Sequence, residues 1–153
     1  MNSHFYYSET VIDRPLAEVF EFFSTAENLN KLTPQALEFK ILTPLPIVMK
    51  QGTVIDYKLK LSGIPFYWKT EISAWNPPYS FVDKQIKGPY KIWIHEHTFK
   101  EVNGKTHMRD MVEFLSPGWI LEPIINALFI RKKVNEIFSY REKVLAELFP
   151  RSF

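Results

Sequence analysis

The dipeptide Asn103-Gly104 stands between two runs, residues 93–102 and 105–114, that alternate apolar and polar side chains. Both central residues of a two-residue type I′ turn need positive φ, and Asn-Gly is the pair that best tolerates it. The dipeptide therefore predicts a hairpin and fixes its register. Val102 faces Lys105, and stepping back pairs Phe99 with Met108, His97 with Asp110, His95 with Val112 and Trp93 with Phe114. These residues share one face, because side chains alternate with a period of two. That face carries the apolar residues, so it points inward. His107 falls on the opposite, solvent face.

The register puts three polar groups inside. Directly opposed Cβ atoms lie about 5 Å apart, so His97 and Asp110 can hydrogen-bond. His95 follows on the same face. The preceding strand adds Asp83 and Gln85, which share a face with Phe81. A buried carboxylate without a partner is costly, so Asp110 needs one. Four readings are open: a satisfied dyad that fixes strand register; a polar anchor that orients a mostly apolar ligand; an acid/base pair in which Asp110 holds the His97 tautomer; and a metal site formed by His95, His97 and Asp110. His-x-His spacing is weak evidence for the last, and neither a metal nor another cofactor is expected. No serine or cysteine nucleophile is evident beside the pair, which argues against acyl-enzyme chemistry. His4 is expected in a frayed N-terminal segment.

The remaining chain supplies a sheet and its cover. Residues 4–12 alternate and end at Asp13-Arg14-Pro15, which predicts a strand and then a helix with Asp13 near its N-cap. Leu16, Val19, Phe20 and Phe23 recur at helical spacing. A second short helix spans residues 26–32 and stops before Thr33-Pro34. Strands are predicted at 37–42, 53–61, 66–75 and 80–86, broken by Pro44 and Pro46, Ser62-Gly63, Asn76-Pro77-Pro78 and Gly88-Pro89. Tyr57 and Trp68 lie on the inward faces of their strands. Ser116-Pro117-Gly118 closes the sheet region. Residues 119–149 then form one long amphipathic helix, with Ile124, Leu128, Val134, Phe138, Arg141, Leu145 and Leu148 on one stripe. Consecutive strands with tight turns imply an antiparallel sheet whose apolar face must be covered, and only the long helix is large enough. A sheet gripping a helix leaves a space suited to a ligand.

Composition narrows the function. With 13 Phe, 7 Tyr and 4 Trp in 153 residues, the chain has rings enough to line a wide interior. A net charge of +2 and a longest basic run of Arg131-Lys132-Lys133 argue against a nucleic-acid partner. The longest apolar stretch, residues 119–130, is too short for a bilayer span, which needs about 20 residues. No integral-membrane character is expected. The lack of cysteine and of a signal peptide points to a cytoplasmic protein. Residues 1–153 read as a single domain.

Several stretches carry a resemblance. Residues 8–34 (SETVIDRPLAEVFEFFSTAENLNKLTP) resemble the opening of the SRPBCC superfamily, also called START-like or helix-grip proteins. Phe81-Val82-Asp83-Lys84-Gln85, Gly88-Pro89-Tyr90, Trp93-x-His95-x-His97-x-Phe99, Met108-Arg109-Asp110-x-Val112-x-Phe114 and Phe138-Ser139-Tyr140-Arg141 resemble its bacterial ligand-binding members. The resemblance implies an α+β helix-grip fold, in which a seven-stranded, strongly twisted antiparallel sheet wraps a long C-terminal helix, with two short helices after strand 1. It implies a cavity for a hydrophobic small molecule, lipid-, polyketide- or aromatic-like. The expected lining is Tyr57, Trp68, Asp83, Gln85, Trp93, His95, His97, Phe99, Met108 and Asp110. One alternative is a polyketide cyclase- or dehydratase-like enzyme using His97 and Asp110 as an acid/base pair. Another is a non-catalytic interaction module with a filled core.

Overall fold

The computed structural model describes residues 3–61, 63–115 and 123–150. In chain order the elements are β1 (His4–Ile12), α1 (Leu16–Phe23), two 3₁₀ segments (Ala26–Leu32 and Gln35–Leu37), β2 (Lys40–Ile41), β3 (Val54–Leu61), β4 (Ile64–Asn76), β5 (Ser80–Lys87), β6 (Ile92–Val102), β7 (Lys105–Leu115) and α2 (Pro123–Leu148). The seven strands form one sheet in the order β1-β7-β6-β5-β4-β3-β2, with every neighbouring pair antiparallel.

The hairpin register is the one that Asn103-Gly104 dictates. Val102 pairs with Lys105, His97 with Asp110 and Trp93 with Phe114. Both turn residues have positive φ, 52° and 77°. The inner face is buried at His95, His97, Phe99, Met108, Asp110, Val112 and Phe114, while His107 is exposed. On β3 and β4, Ile55, Tyr57, Leu59, Trp68, Thr70 and Ile72 are buried in the same alternating way. The β4–β5 pairing shifts between Lys69 and Thr70 and again between Ile72 and Ala74. Such bulges bend a strand and add right-handed twist, which lets the sheet curl over its cover.

That cover is α2, whose Val134, Phe138, Arg141 and Leu145 are buried at steps of four, three and four. Val134 and Phe138 pack on Val112 and Phe114 of β7. Pro123 opens the helix, where its missing N–H costs nothing. Leu148 departs from the expected stripe and is exposed, and Phe149 instead packs against the core beside α1. Trp119–Glu122 and Ser116-Pro117-Gly118, expected in the helix and the closing turn, lie outside the described residues, as do the side chains of Ile124 and Leu128.

Three local expectations change. Asp13 does not cap α1: Pro15 takes the N-cap position, and the Leu16 N–H donates to Glu101 Oε1 of β6 at 3.0 Å. The strand expected over residues 37–42 shrinks to β2, because Gln35–Leu37 is a 3₁₀ turn and Glu38 then turns left-handed at φ 45°. His4 is not frayed but pairs with Phe114, their rings 5.6 Å apart. Among the described residues, no helix is long and apolar enough to cross a membrane.

Candidate functional site

Between the inner face of the sheet, the 3₁₀ segment Ala26–Leu32 and α2 lies a cavity of about 190 Å³. Its two ends differ in chemistry. One end is aromatic. Tyr57 and Trp68 stack across β3 and β4 with centroids 5.8 Å apart, Trp93 meets Trp68 edge-on at 5.5 Å, and Tyr90 lies 4.8 Å from Trp93. Tyr90 is seated by Gln85, whose side-chain N–H donates to the Tyr90 carbonyl at 2.6 Å and whose Oε1 accepts the Tyr90 N–H at 3.2 Å. A side chain at Gly88 would collide with Gln85 Oε1, so a larger residue there would have to displace the Gln85 side chain from Tyr90. Burial pushes the Tyr90 hydroxyl up to about 12 and the Tyr57 hydroxyl well above its ordinary value, so both remain donors. The Trp68 Nε1–H is buried without a partner among the described residues.

The other end is a charged cluster drawn from three strands and the helix. Asp83 of β5 stands level with His95 of β6, and Asp110 of β7 level with His97. The hydrogen bonds nevertheless run diagonally. The His95 Nε2–H donates to Asp110 Oδ1 at 2.7 Å, and the His97 Nε2–H donates to Asp83 Oδ2 at 2.7 Å. Arg141 of α2 closes the cluster, its Nη1 donating to Asp110 Oδ1 at 3.1 Å. The guanidinium also lies 4.8 Å from the Phe23 ring centroid and 5.3 Å from that of Phe138, where ring faces attract cations. The two imidazoles stack at 3.7 Å, and Phe81 stacks on His97 at 4.1 Å.

The cluster sets its own protonation. Burial opposes ionisation of Asp110, but the Arg141 charge, the His95 hydrogen bond and the close His97 imidazole outweigh it and hold the carboxyl well below its ordinary value. Asp83 is likewise lowered: burial opposes it, and His95, His97 and Arg141 prevail. His95 is lowered by burial and by the neighbouring His97 charge. His97 is raised, because its two carboxylate partners overcome burial. The geometry gives the same direction. His97 Nδ1 lies 3.2 Å from Asp110 Oδ1 at an angle too poor for a hydrogen bond. Unprotonated, it would set a lone pair against a carboxylate; protonated, the contact is attractive. With His97 as imidazolium, two cations face two carboxylates and the buried cluster is neutral.

Tyr57, Trp68, Asp83, Trp93, His95 and His97 all line the cavity. Four residues expected there lie elsewhere. Phe99 and Met108 are packed solid with Ile12, Val19 and Phe20 beneath α1. Gln85 braces the Tyr90 turn, and Asp110 sits behind the histidines, almost fully buried. Opposed Cα positions therefore do not make His97 and Asp110 the bonded pair, since each imidazole reaches the diagonal carboxylate. Sequence reasoning gave no role to Arg141 or Tyr90, both of which line the cavity. The signal for Arg141 was available, because an arginine on an otherwise apolar helical stripe needs a buried anion.

No family model and no curated protein matches the chain. Solved structures do. The Zhui aromatase/cyclase of Streptomyces sp. R1128 superposes with a TM-score of 0.76 at 15% identity, covering 95% of this chain and 93% of that one. The ginseng major latex-like protein 151 of Panax ginseng gives 0.69 at 12% identity, covering 99% and 100%. A START superfamily protein of Mycobacterium smegmatis gives 0.69 at 9% identity, covering 95% and 99%. The chain shares the helix-grip fold of these structures.

Proposed function

We propose that the chain binds a hydrophobic small molecule between the sheet and α2, apolar body against the aromatic end and polar group at the charged end. The observation that carries this reading is a cavity in which aromatic walls converge on an internally bonded polar cluster. Transfer of apolar ligand surface out of water contributes about 25 cal/mol per Å² before ordering costs. The unpartnered Trp68 Nε1–H favours a ligand carrying a hydrogen-bond acceptor such as a carbonyl, because an unmet buried donor costs about 1–3 kcal/mol. The similarity to an aromatase/cyclase and a START superfamily protein agrees with such a ligand.

Native mass spectrometry of gently purified protein, followed by displacement of a fluorescent apolar probe, tests the reading. A co-purified organic species that competes with the probe supports it. A protein that neither carries nor takes up any apolar probe sinks it.

A second reading is an acid/base enzyme of cyclase or dehydratase type. The cavity-facing groups favour a specific version of it. His97, held by Asp83 and electrostatically supported by Asp110, is the proton donor, and Asp110 does not itself reach the cavity. His97→Gln that folds and binds ligand but loses turnover supports this version; unchanged turnover removes it.

A further inference from the structure

The geometry points to a binding site for one divalent first-row transition-metal ion on Asp83, His95 and His97, with an open coordination position facing the cavity. The inference does not rest on the organic ligand.

One ligand atom from each of the three residues lies within 4.8 Å of the others. Asp83 Oδ2 is 2.7 Å from His97 Nε2 and 3.8 Å from His95 Nδ1. Donors bonded to one ion at about 2.1 Å stand about 3 to 3.5 Å apart. The two separations bracket that range, and the third, between the two imidazole nitrogens, lies within 4.8 Å. All three residues line the cavity, so ligands from the protein would occupy one side of the ion and leave the other open.

The second observation concerns the far nitrogens of the imidazoles. His95 Nε2 donates to Asp110 Oδ1, and His97 Nδ1 lies 3.2 Å from the same oxygen. One buried carboxylate thus faces the non-ligating nitrogen of both rings. Metal-bound histidines are oriented and made more basic by such a partner. This arrangement leaves His95 Nδ1 and, once its proton is displaced, His97 Nε2 directed toward Asp83. Asp110 is unsuited to be the ligand itself, because Arg141 holds its Oδ1. The sequence pattern suggested His95, His97 and Asp110 as a candidate triad. The fold exchanges Asp110 for Asp83 and moves Asp110 to the supporting position.

The donor set names the class of ion. Two imidazoles and one carboxylate suit zinc, iron(II), cobalt(II) or nickel(II), and lack the oxygen ligands that calcium and magnesium demand. Charge agrees as well. With both imidazoles neutral, Asp83, Asp110 and Arg141 sum to −1, which a divalent ion turns to +1. The open position would then favour an anionic or carbonyl oxygen.

The test uses untagged full-length protein, stripped with chelator and titrated with cobalt(II) chloride and zinc chloride. The expected result is one equivalent bound per chain by elemental analysis, visible cobalt d–d bands, and a thermal midpoint raised by zinc. Asp83→Asn keeps the shape of the cluster and should weaken zinc binding at least tenfold. His95→Gln should do the same, which covers the case in which one variant fails to fold. His107→Ala, an exposed imidazole, is the control and should leave binding unchanged. Sub-stoichiometric binding, or equal affinity in wild type and a folded Asp83→Asn, overturns the proposal. Because only the metal is added, failure here leaves the apolar-ligand reading standing, and the reverse also holds.

Discussion

The inner face of one sheet is solid at one end and hollow at the other, although both ends are built from the same kinds of residue. Phe99 and Met108 meet Val19 and Phe20 of α1, and the space is filled. Tyr57, Trp68 and Trp93 meet a 3₁₀ segment and α2, and about 190 Å³ stays open. The strands do not cause the difference. An eight-residue α-helix with a stripe of large side chains reaches down onto the sheet, whereas the 3₁₀ segment contributes Ala26, Leu29 and Leu32 to the cavity lining. An aromatic ring becomes core or lining according to what stands opposite.

The sharpest way to break this contrast is truncation at the solid end. Phe99→Ala should cost about 3–5 kcal/mol in chemical denaturation, because it opens a void among packed rings. If Trp68→Ala, at the hollow end, costs as much, the two ends do not differ in packing and the contrast fails.

Next in size is the charged cluster. Asp110→Asn leaves Arg141 buried beside a neutral group and should cost about 3 kcal/mol near neutral pH. The pH dependence follows from the sign of the shift. Asp110 has a folded value below its ordinary one, so its contribution is complete above about 3.9 and is lost as pH falls through the lowered folded value. His97 is shifted the other way. Its contribution is complete below about 6.5 and is lost as pH rises through the raised folded value. Urea unfolding across a pH series should therefore show an acid limb that flattens in Asp110→Asn. An unchanged acid limb would assign it to other carboxylates.

A smaller effect belongs to the aromatic end. Trp68→Phe removes an unpartnered donor and should change stability by less than about 1 kcal/mol, while weakening an acceptor-bearing ligand by up to about tenfold. A matched hydrocarbon ligand should be unaffected, and equal loss for both would locate the effect in ring packing. Smallest of all is the surface. Glu9 and Arg109 pair at 2.9 Å but stay 70% and 62% exposed, so Glu9→Ala should cost under about 1 kcal/mol, within reach of a double-mutant cycle with Arg109→Ala.

How much of this was legible beforehand differs by level. The hairpin register was legible because two residues with positive φ leave one pairing. The apolar face of β3 and β4 was legible from alternation alone. The bonded partners were not, because the pairing rule gives the opposed residue, while side chains in a twisted sheet also reach the diagonal one. Arg141 was visible as a misfit on its stripe, but its partner depends on where α2 lies along the sheet, which no local pattern encodes. Phe99 and Met108 could not be told from Tyr57 and Trp68, since the deciding contact comes from an element distant in sequence.

The position of Arg141 has a consequence for how the helix finds its place. Val134, Phe138, Arg141 and Leu145 repeat at steps of four, three and four, so sliding α2 by seven residues brings Phe138 onto the seat of Leu145 and Val134 onto the seat of Arg141. Apolar packing at the Leu145 seat is nearly blind to such a slip of about 10.5 Å. The ion pair is not, because it would put a buried carboxylate opposite a hydrocarbon. Arg141 and Asp110 thus act as a key and its notch, giving a repetitive helix a single address on the sheet, and with it a single width to the cavity.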